Sequence, residues 1–466
     1  MNEKKCEYMD LIGNCDIRRA LAHSKRFLER YLGDAEFRNA ILSEQLSLMD
    51  AADECGCEID IRTLLPVFHP SYVPLRATAC QADWPLTYYW NQFIQSKLEI
   101  RRAVIGIGDS AGLTPVFDLW RQRNISRSRF EIGPPGRGIV HPPVSFELSS
   151  GCSVGCPFCG VSALPFRGYF ALKDGGAAEW RRALLGVKNV LGRGLKMGFC
   201  YWATDPLDNP DYAGFLEIFS ELMNYTPQTT TAIPLRDVEL TRKVLAMWNP
   251  RQIIPNRFSV LTTGILKRIH KTFTPEELLG VELVLQNSGN AEITKVRAGK
   301  NIARVGKLQR EGAKPEPSTN GTIACVSGFL INLVEKTIRL VSPTMPSTRW
   351  PDGYIVYAQS SYTAVEQLEG KLRGMIKENM SLEVSSSSVL SFVDGIEYAS
   401  EENVGWLRSS AMEVGRAEWK RVCELIEQRC FTPIQMVEAL CRDGDDPFTT
   451  VGSINALWRT GLVESV

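Results

Sequence analysis

Apolar positions in the first part of the chain recur three and four residues apart. In CDIRRALAHSKRFLERYLGDAEFRNAILS, Ile17, Leu21, Phe27, Leu28, Tyr31 and Leu32 fall on one helical face, the period that buries an amphipathic helix against a core. A proline-rich stretch from 62 to 90 breaks the pattern, and YYWNQFIQSKLEIRRAVIGIG resumes it. RQRNISRSRFEIGPPGRG, with four arginines between 121 and 129, reads as a solvated linker. Together these stretches predict a helical N-terminal region over 1–135.

From about 140 the pattern alternates. PVSFELSS is strand-like, GGAAEWRRALLGVKNVLGRG helical, and LKMGFCYWATDP a strand ending in a polar loop. DYAGFLEIFSELMNYT is helical again; TTTAIP, NRFSVLTT and VELVLQNSG then continue as strands between the helices VELTRKVLAMWN and GILKRIHKTF. Strand, helix, strand at this spacing predicts an α/β fold with a parallel sheet and right-handed crossovers. After a Lys/Arg/Pro-rich insertion at 295–319, TIACVSGFLINLVEKTIRLVSPT supplies the last apolar strands. About six strand units are too few for a closed eight-stranded barrel, so an open, partial (β/α)6 barrel is expected over 136–360. A connecting helix occupies 361–380. Strand-like LEVSS and VLSFVDGIEYA and three short helices then make a winged-helix pattern over 381–466.

Composition narrows the function classes. Lys+Arg and Asp+Glu balance at 53 each, so no global positive field recruits nucleic acid or an anionic membrane. No apolar run approaches the roughly 20 residues of a membrane span, and MNEKKCEYMDLIGNCD lacks the hydrophobic core of a signal peptide. A cytoplasmic protein is expected. Its thirteen cysteines are then reduced thiols, which favours metal or redox chemistry over a disulfide framework.

Three of those thiols stand together in GCSVGCPFCG, as Cys152, Cys156 and Cys159. Thiolates are soft ligands suited to zinc or to iron–sulfur clusters. A structural zinc site closes its tetrahedron with four Cys or His, and no second hook follows, since Cys200 and Cys325 stand alone. A four-iron cube on three cysteines leaves one iron open to a substrate.

C-x-x-x-C-x-x-C after the first strand, with aromatic Phe158 before the third cysteine, resembles the radical S-adenosylmethionine (radical SAM) enzymes. The resemblance implies a [4Fe–4S] cluster on Cys152, Cys156 and Cys159 whose open iron chelates SAM. Reduction then cleaves SAM to methionine and a 5′-deoxyadenosyl radical, with flavodoxin or ferredoxin as an electron donor. It implies SAM contacts at Thr204 and Asp205 in YWATDPLDNPDY, where the common Gly-Gly-Glu-Pro form is absent, at Ser259 near the ribose, and at Gln286 and Asn287 near the adenine. Turn chemistry and helix caps, such as Asp208 or Asn209, are the alternative reading of these loops.

The reaction has to come from the rest of the site. A thiol donates a hydrogen atom readily to a carbon radical, and return to the opposite face of an α-carbon converts an L-residue to a D-residue. Cys325, expected on a strand on the far side of the barrel from the triplet, fits this role; Cys200 is its rival. The blocks YWATDPLDNPDY and ACVSGFLINLVEKTIRLVSP…RWPDGYIVY resemble the radical SAM peptide epimerases of the polytheonamide type, which act on ribosomally made precursor peptides. In that family a cysteine gives the second hydrogen, a role the resemblance carries to Cys325. The C-terminal module resembles the precursor-recognition element that adds a leader peptide as an extra strand. Its acidic Asp443, Asp445 and Asp446 disfavour DNA phosphates. Another radical SAM peptide maturase, making a methylated or cross-linked product, and a non-catalytic zinc or peptide-binding protein are the competing readings.

Other signals are weaker. Gly106, Gly108 and Gly112 in VIGIGDSAG have the wrong spacing for a dinucleotide loop. Cys55, Cys57, His69 and Cys80 are a possible auxiliary metal group, although C-x-C is unusual for zinc. Cys423, Cys430 and Cys441 read as packing residues on C-terminal helices.

Overall fold

Seven helices precede the first strand in this computed structural model, which describes residues 3–109, 114–248 and 254–465. They are α1 (Glu3–Gly13), α2 (Cys15–Gly33), α3 (Ala35–Leu42), α4 (Leu48–Glu54), α5 (Leu65–Phe68), α6 (Pro85–Asp109) and α7 (Pro115–Ile132). Asn14 caps α2 by accepting the Asp16 and Ile17 N–H groups, and Asp34 caps α3 in the same way from Glu36 and Phe37. The apolar face of α2 packs Phe27 and Tyr31 against Phe37 and Phe68. Gly106 and Gly108 lie within α6, and Gly112 is outside the described residues.

The arginine-rich stretch expected as a linker is the body of α7. Arg121 and Arg127 are buried, and Arg123 and Arg129 half-buried, rather than solvated. Arg127 donates both ways to Glu131 at 3.0 and 3.1 Å and reaches Ser342 and the Pro343 carbonyl. Arg121 donates to the carbonyls of Ser327 and His141. Arg123 stacks on Trp458 at 3.8 Å and donates to the Trp458 and Val463 carbonyls. A helix whose inner face is polar carries no amphipathic signature, so periodicity misses it.

The alternating region follows as β1 (Val144–Glu147), β2 (Ser149–Ser150), β3 (Gly168–Tyr169), α8 (Gly176–Leu191), α9 (Tyr212–Met223), β4 (Thr230–Thr231), α10 (Val238–Ala246), β5 (Asn256–Val260), α11 (Thr263–Thr272), α12 (Pro275–Leu278) and β6 (Val281–Leu285). Then come α13 (Lys300–Arg310), β7 (Gly328–Asn332), β8 (Thr337–Pro343), β9 (Tyr354–Ser361) and α14 (Leu368–Asn379). The fold is mixed α/β. β4, β5 and β6 form one parallel sheet. β7 pairs in parallel with β1, and β8 and β9 extend that sheet antiparallel. LKMGFCYWATDP contributes a single parallel bridge, Phe199 to Ser145, where a full strand was expected. Among the described residues these sheets do not close into one barrel.

One face of the strands carries the core. Phe146, Phe329 and Ile331 pack against Trp180 of α8 and Phe215 of α9, and the Trp180 indole donates to the Phe215 carbonyl at 3.1 Å. The opposite, inward face is mixed: Phe199, Trp202, Leu330 and Val341 form a smaller apolar cluster, and β5 and β6 add charge. Arg257 of β5 and Glu282 of β6 are register partners paired at 2.8 Å, while Phe258 and Leu283 between them point to the helices. β7 can lie against the chain before β1 only because residue 328 is glycine: at φ +154° a Cβ would fall 2.0 Å from the Pro143 oxygen.

The C-terminal part holds β10 (Leu390–Phe392), β11 (Glu397–Glu401), β12 (Val404–Arg408), β13 (Glu413–Arg416), α15 (Lys420–Glu427), α16 (Pro433–Arg442), α17 (Pro447–Thr460) and β14 (Val463–Ser465). β11, β12 and β13 make an antiparallel sheet, and β10 pairs with β14. LEVSS is not a strand, whereas β12 and β13, short and flanked by charge, were not anticipated. Cys423 is core, but Cys430 is exposed between helices and Cys441 is half-buried. Among the described residues no helix is long and apolar enough to cross a membrane.

His141, just before β1, is fully buried with Nδ1 2.9 Å from the Ser327 hydroxyl. Burial, then Arg121, Arg129 and Arg127, hold it well below its ordinary 6.5. The unfolded chain therefore takes the proton first, and stability present above about pH 6.5 drains as the pH falls toward the folded value. Wild type should lose up to about 1.4 kcal/mol per pH unit there relative to His141→Asn, read as the difference in urea midpoints between pH 7 and 5. Parallel acid profiles would refute the assignment.

Candidate functional site

The cysteine loop begins where β1 and β2 end. Gly151, at φ +74°, sits on the Pro165 carbonyl, 2.1 Å from where a Cβ would be, so only glycine turns the chain here. Cys152 N–H then donates to the Leu164 carbonyl at 2.8 Å. The three thiols share one half-buried loop. Burial pushes Cys156 up to about 11, and the charges of Cys159 and Cys152 add to the shift, so the Cys156 sulfur feels both of the others. Backbone N–H groups of Val154 and Asp205 point at the Cys152 sulfur, and Ala163 N–H lies 3.4 Å from Cys159 Sγ. Soft donors with N–H groups aimed at them fit a thiolate-bound metal or cluster. Among the described residues no three Cys, His, Asp or Glu side chains are already preset in metal-binding geometry.

Two clamps hold the loop. Asp208, with a side chain 1% exposed, accepts the Ser153 N–H at 2.9 Å, the Ser153 hydroxyl, and Arg236 at 2.6 Å. Arg236 also donates to Ser153 Oγ at 2.7 Å. On the other side the Cys159 carbonyl accepts Lys300 N–H, and Lys300 Nζ donates to the Ala163 carbonyl. Phe158 lies under the Lys295 ammonium at 4.8 Å, which in turn pairs with Glu316. Sequence reading saw Asp208 only as a helix cap. The spacing of Ser153, Asp208 and Arg236 along the chain gave no sign that they meet.

The expected SAM contacts divide. Thr204 and Asp205 are buried beside the loop, and Asp205 acts electrostatically on Cys152 and Cys156. The Asp205 carboxylate is itself engaged, accepting the Thr231 hydroxyl and Ala232 N–H at 2.7 Å and Leu207 N–H at 3.0 Å; burial pushes it up to about 6. Ser259 sits on the inward face of β5, and Gln286 joins the same place through its N–H to the Val260 carbonyl. Gln286 Oε1 is buried without a hydrogen-bond partner. Asn287 points elsewhere, its amide donating to the Gly33 carbonyl at 2.7 Å and so tying β6 to the end of α2.

Cys325 is not on a strand. It lies three residues before β7, and β7 is the neighbour of β1 rather than a strand on the far side. Its thiol lines a cavity of about 440 Å³ at the N-terminal ends of the strands, with Tyr201, Arg257, Glu282 and Lys97. Ile323, in the same wall, stands 3.0 Å from a Cβ built on Gly160, so its side chain lies between the cavity and the cysteine loop. Burial pushes the Cys325 thiol up to about 12. Cys200 faces the opposite way, 1% exposed in the helix-packed core with Trp180 and Tyr212.

The auxiliary group does not assemble. Cys80 is exposed and hydrogen-bonded to Asp83, and His69 packs between Phe68 and Tyr72. Cys55 and Cys57 do meet, buried beside His23 and Arg26, and hydrogen bonds from Cys55 and His23 pull Cys57 down. A further groove, of about 1010 Å³, runs along the free edge strand β13 and is walled by α7, Trp419 and α17.

Over 452 residues the chain is 38% identical to the uncharacterized protein y4wI of Sinorhizobium fredii, a match covering 96% of this chain and 88% of that protein. The chain belongs to the y4wI family. No family model and no solved structure matches it.

In this y4wI-family chain the Asp208 clamp makes a direct prediction. Asp208→Ala strands the Ser153 N–H and Arg236, a loss of about 1–3 kcal/mol. Alkylation of Cys152, Cys156 and Cys159 in the metal-free protein, followed by peptide mass spectrometry, should speed up by about tenfold or more, with Cys423 unchanged as a core control. Equal rates in wild type and variant would show that the clamp does not govern the loop.

Proposed function

We propose that the protein is a cytoplasmic radical SAM peptide epimerase that converts L-residues to D-residues in a ribosomally made precursor. In this reading β1, β7 and the parallel β4, β5 and β6 belong to a partial (β/α)6 barrel, and β11, β12, β13, α15, α16 and α17 to a winged-helix recognition module. One observation supports it: a second, protonated thiol, Cys325, lines a cavity whose wall residue Ile323 packs on Gly160 of the triplet loop. Bound by Cys152, Cys156 and Cys159, a [4Fe–4S] cluster supplies the one-electron chemistry that turns SAM into a hydrogen-abstracting radical.

The chain's own residues do the rest. Val154, Asp205 and Ala163 N–H groups stabilise charge on the sulfurs. Phe158 and Lys295 cover the loop, and Asp205 with Thr204 borders it. A hydrogen-atom donor must still hold its hydrogen at neutral pH, and burial keeps the Cys325 S–H intact. The S–H bond breaks and a Cα–H bond forms on the face opposite the abstraction. The sulfur radical left behind is reduced by one electron from a flavodoxin- or ferredoxin-type donor and takes one proton from solvent, which restores the thiol. Cys200 is removed from the role because it faces the helix-packed core. The β13 edge, with Val414, Trp419 and Thr460 along its groove, supports docking of a leader peptide as an added strand.

The test is reaction of the cluster-loaded enzyme with its precursor in D2O, followed by chiral amino-acid analysis and mass spectrometry. D-residues should form, each carrying one deuterium and no other mass change. Cys325→Ala should lose D-residue formation by about 100-fold or more while still cleaving SAM. Full epimerisation by that variant removes Cys325 from the mechanism, and a methylated or cross-linked product identifies a different maturase.

A further inference from the structure

The cavity that contains Cys325 has an unbalanced charge. Its wall carries three cations, Lys97 and Arg101 from α6 and Arg257 from β5, against a single carboxylate, Glu282. Arg257 and Glu282 cancel, paired at 2.8 Å. Arg101 makes one long hydrogen bond, to the Gly138 carbonyl at 3.4 Å. The Lys97 ammonium lies 5.2 Å over the Phe93 ring and, among the described residues, makes no hydrogen bond or ion pair. Behind it Glu29 pairs with Lys25, and Glu282, paired with Arg257, acts on Lys97 only through space, so the wall keeps an excess of positive charge. Ile94, Ile139 and Pro255 make the remaining walls apolar.

An ammonium largely held out of water with no carboxylate in hydrogen-bond contact costs free energy that an arriving anion returns. Burial has already pushed Lys97 down to about 8, which leaves it mostly charged at neutral pH. The volume and the apolar walls suit a few peptide atoms rather than a hydrated inorganic ion.

We infer that this cavity binds a carboxylate of the substrate peptide, placing the residue next to it beside Cys325. The carboxylate is either an Asp or Glu side chain or the peptide's C-terminus; both offer the same planar anion to Lys97 and Arg101. The role given to Cys325 rests on the epimerase reading, whereas the anion site stands on the charge arrangement.

Equilibrium dialysis of the full-length, cluster-loaded enzyme against three labelled hexapeptides tests it: one with Asp and an amidated C-terminus, one with Asn and a free C-terminus, and one with Asn and an amidated C-terminus. The first or the second should bind at least about tenfold more tightly than the third, and which of them does identifies the source of the carboxylate. Lys97→Met should abolish the preference while keeping the wild-type affinity for the neutral peptide, and Lys97→Arg should keep both. Arg101→Gln, at the cavity mouth, should weaken the preference without depending on the buried position. Equal affinity for all three peptides, or a preference that survives both Lys97→Met and Arg101→Gln, overturns the proposal. Chiral analysis of the same incubations separates the two ideas. A carboxylate preference without D-residues leaves the anion site standing and removes the epimerase, whereas D-residues formed equally in acidic and neutral peptides do the reverse.

Discussion

The parallel pairing of β7 with β1 organises the molecule. Phe329 through Asn332 run in register with Val144 through Glu147, and the close approach at Gly328 that permits it excludes any side chain. Because β1 leads into the cysteine loop and the segment before β7 carries Cys325, this one parallel ladder fixes the two thiol sites relative to each other, one past the end of β1 and one before the start of β7. It also gives β8 and β9 an edge to extend. A substitution at residue 328 would therefore disturb the site and the core together.

Buried charge is the second organising force. α7 is held by arginines whose hydrogen bonds end on carbonyls of the strand region and of the C-terminal part, Arg121 on Ser327, Arg127 on Pro343 and Arg123 on Trp458 and Val463, while Glu131 of the same helix pairs with Arg127. Such contacts add modest net stability, yet each is costly to leave half-made. They impose one arrangement of α7, the strands and α17. The same inward polarity continues across the strands as Arg257, Glu282 and Tyr201, where apolar side chains would have filled the space with core.

The cysteines show how environment divides one chemistry into several. Cys152, Cys156 and Cys159 share a clamped loop with N–H groups aimed at the sulfurs. Cys200 is an apolar filler, Cys325 a protonated thiol beside polar partners in a cavity, and Cys57 a thiol whose neighbours favour its anion. Residue type alone separates none of these. The neighbours do, through desolvation, opposite charge and hydrogen bonding.

By itself the sequence determined the helical start, the strand and helix alternation from about 140, the three helices at the end and the triplet loop, because each is a local pattern of apolar period, turn residues or cysteine spacing. It misread α7, whose buried arginines find partners hundreds of residues away, and missed β12 and β13, which are short and whose exposed charges leave little apolar alternation. Tertiary structure alone decided that β7 joins β1, that Asp208 meets Ser153 and Arg236, that Asn287 ties to Gly33, and that Cys325 rather than Cys200 lines a cavity. Side-chain direction and long-range pairing are set when the strands pack, and no local period encodes them.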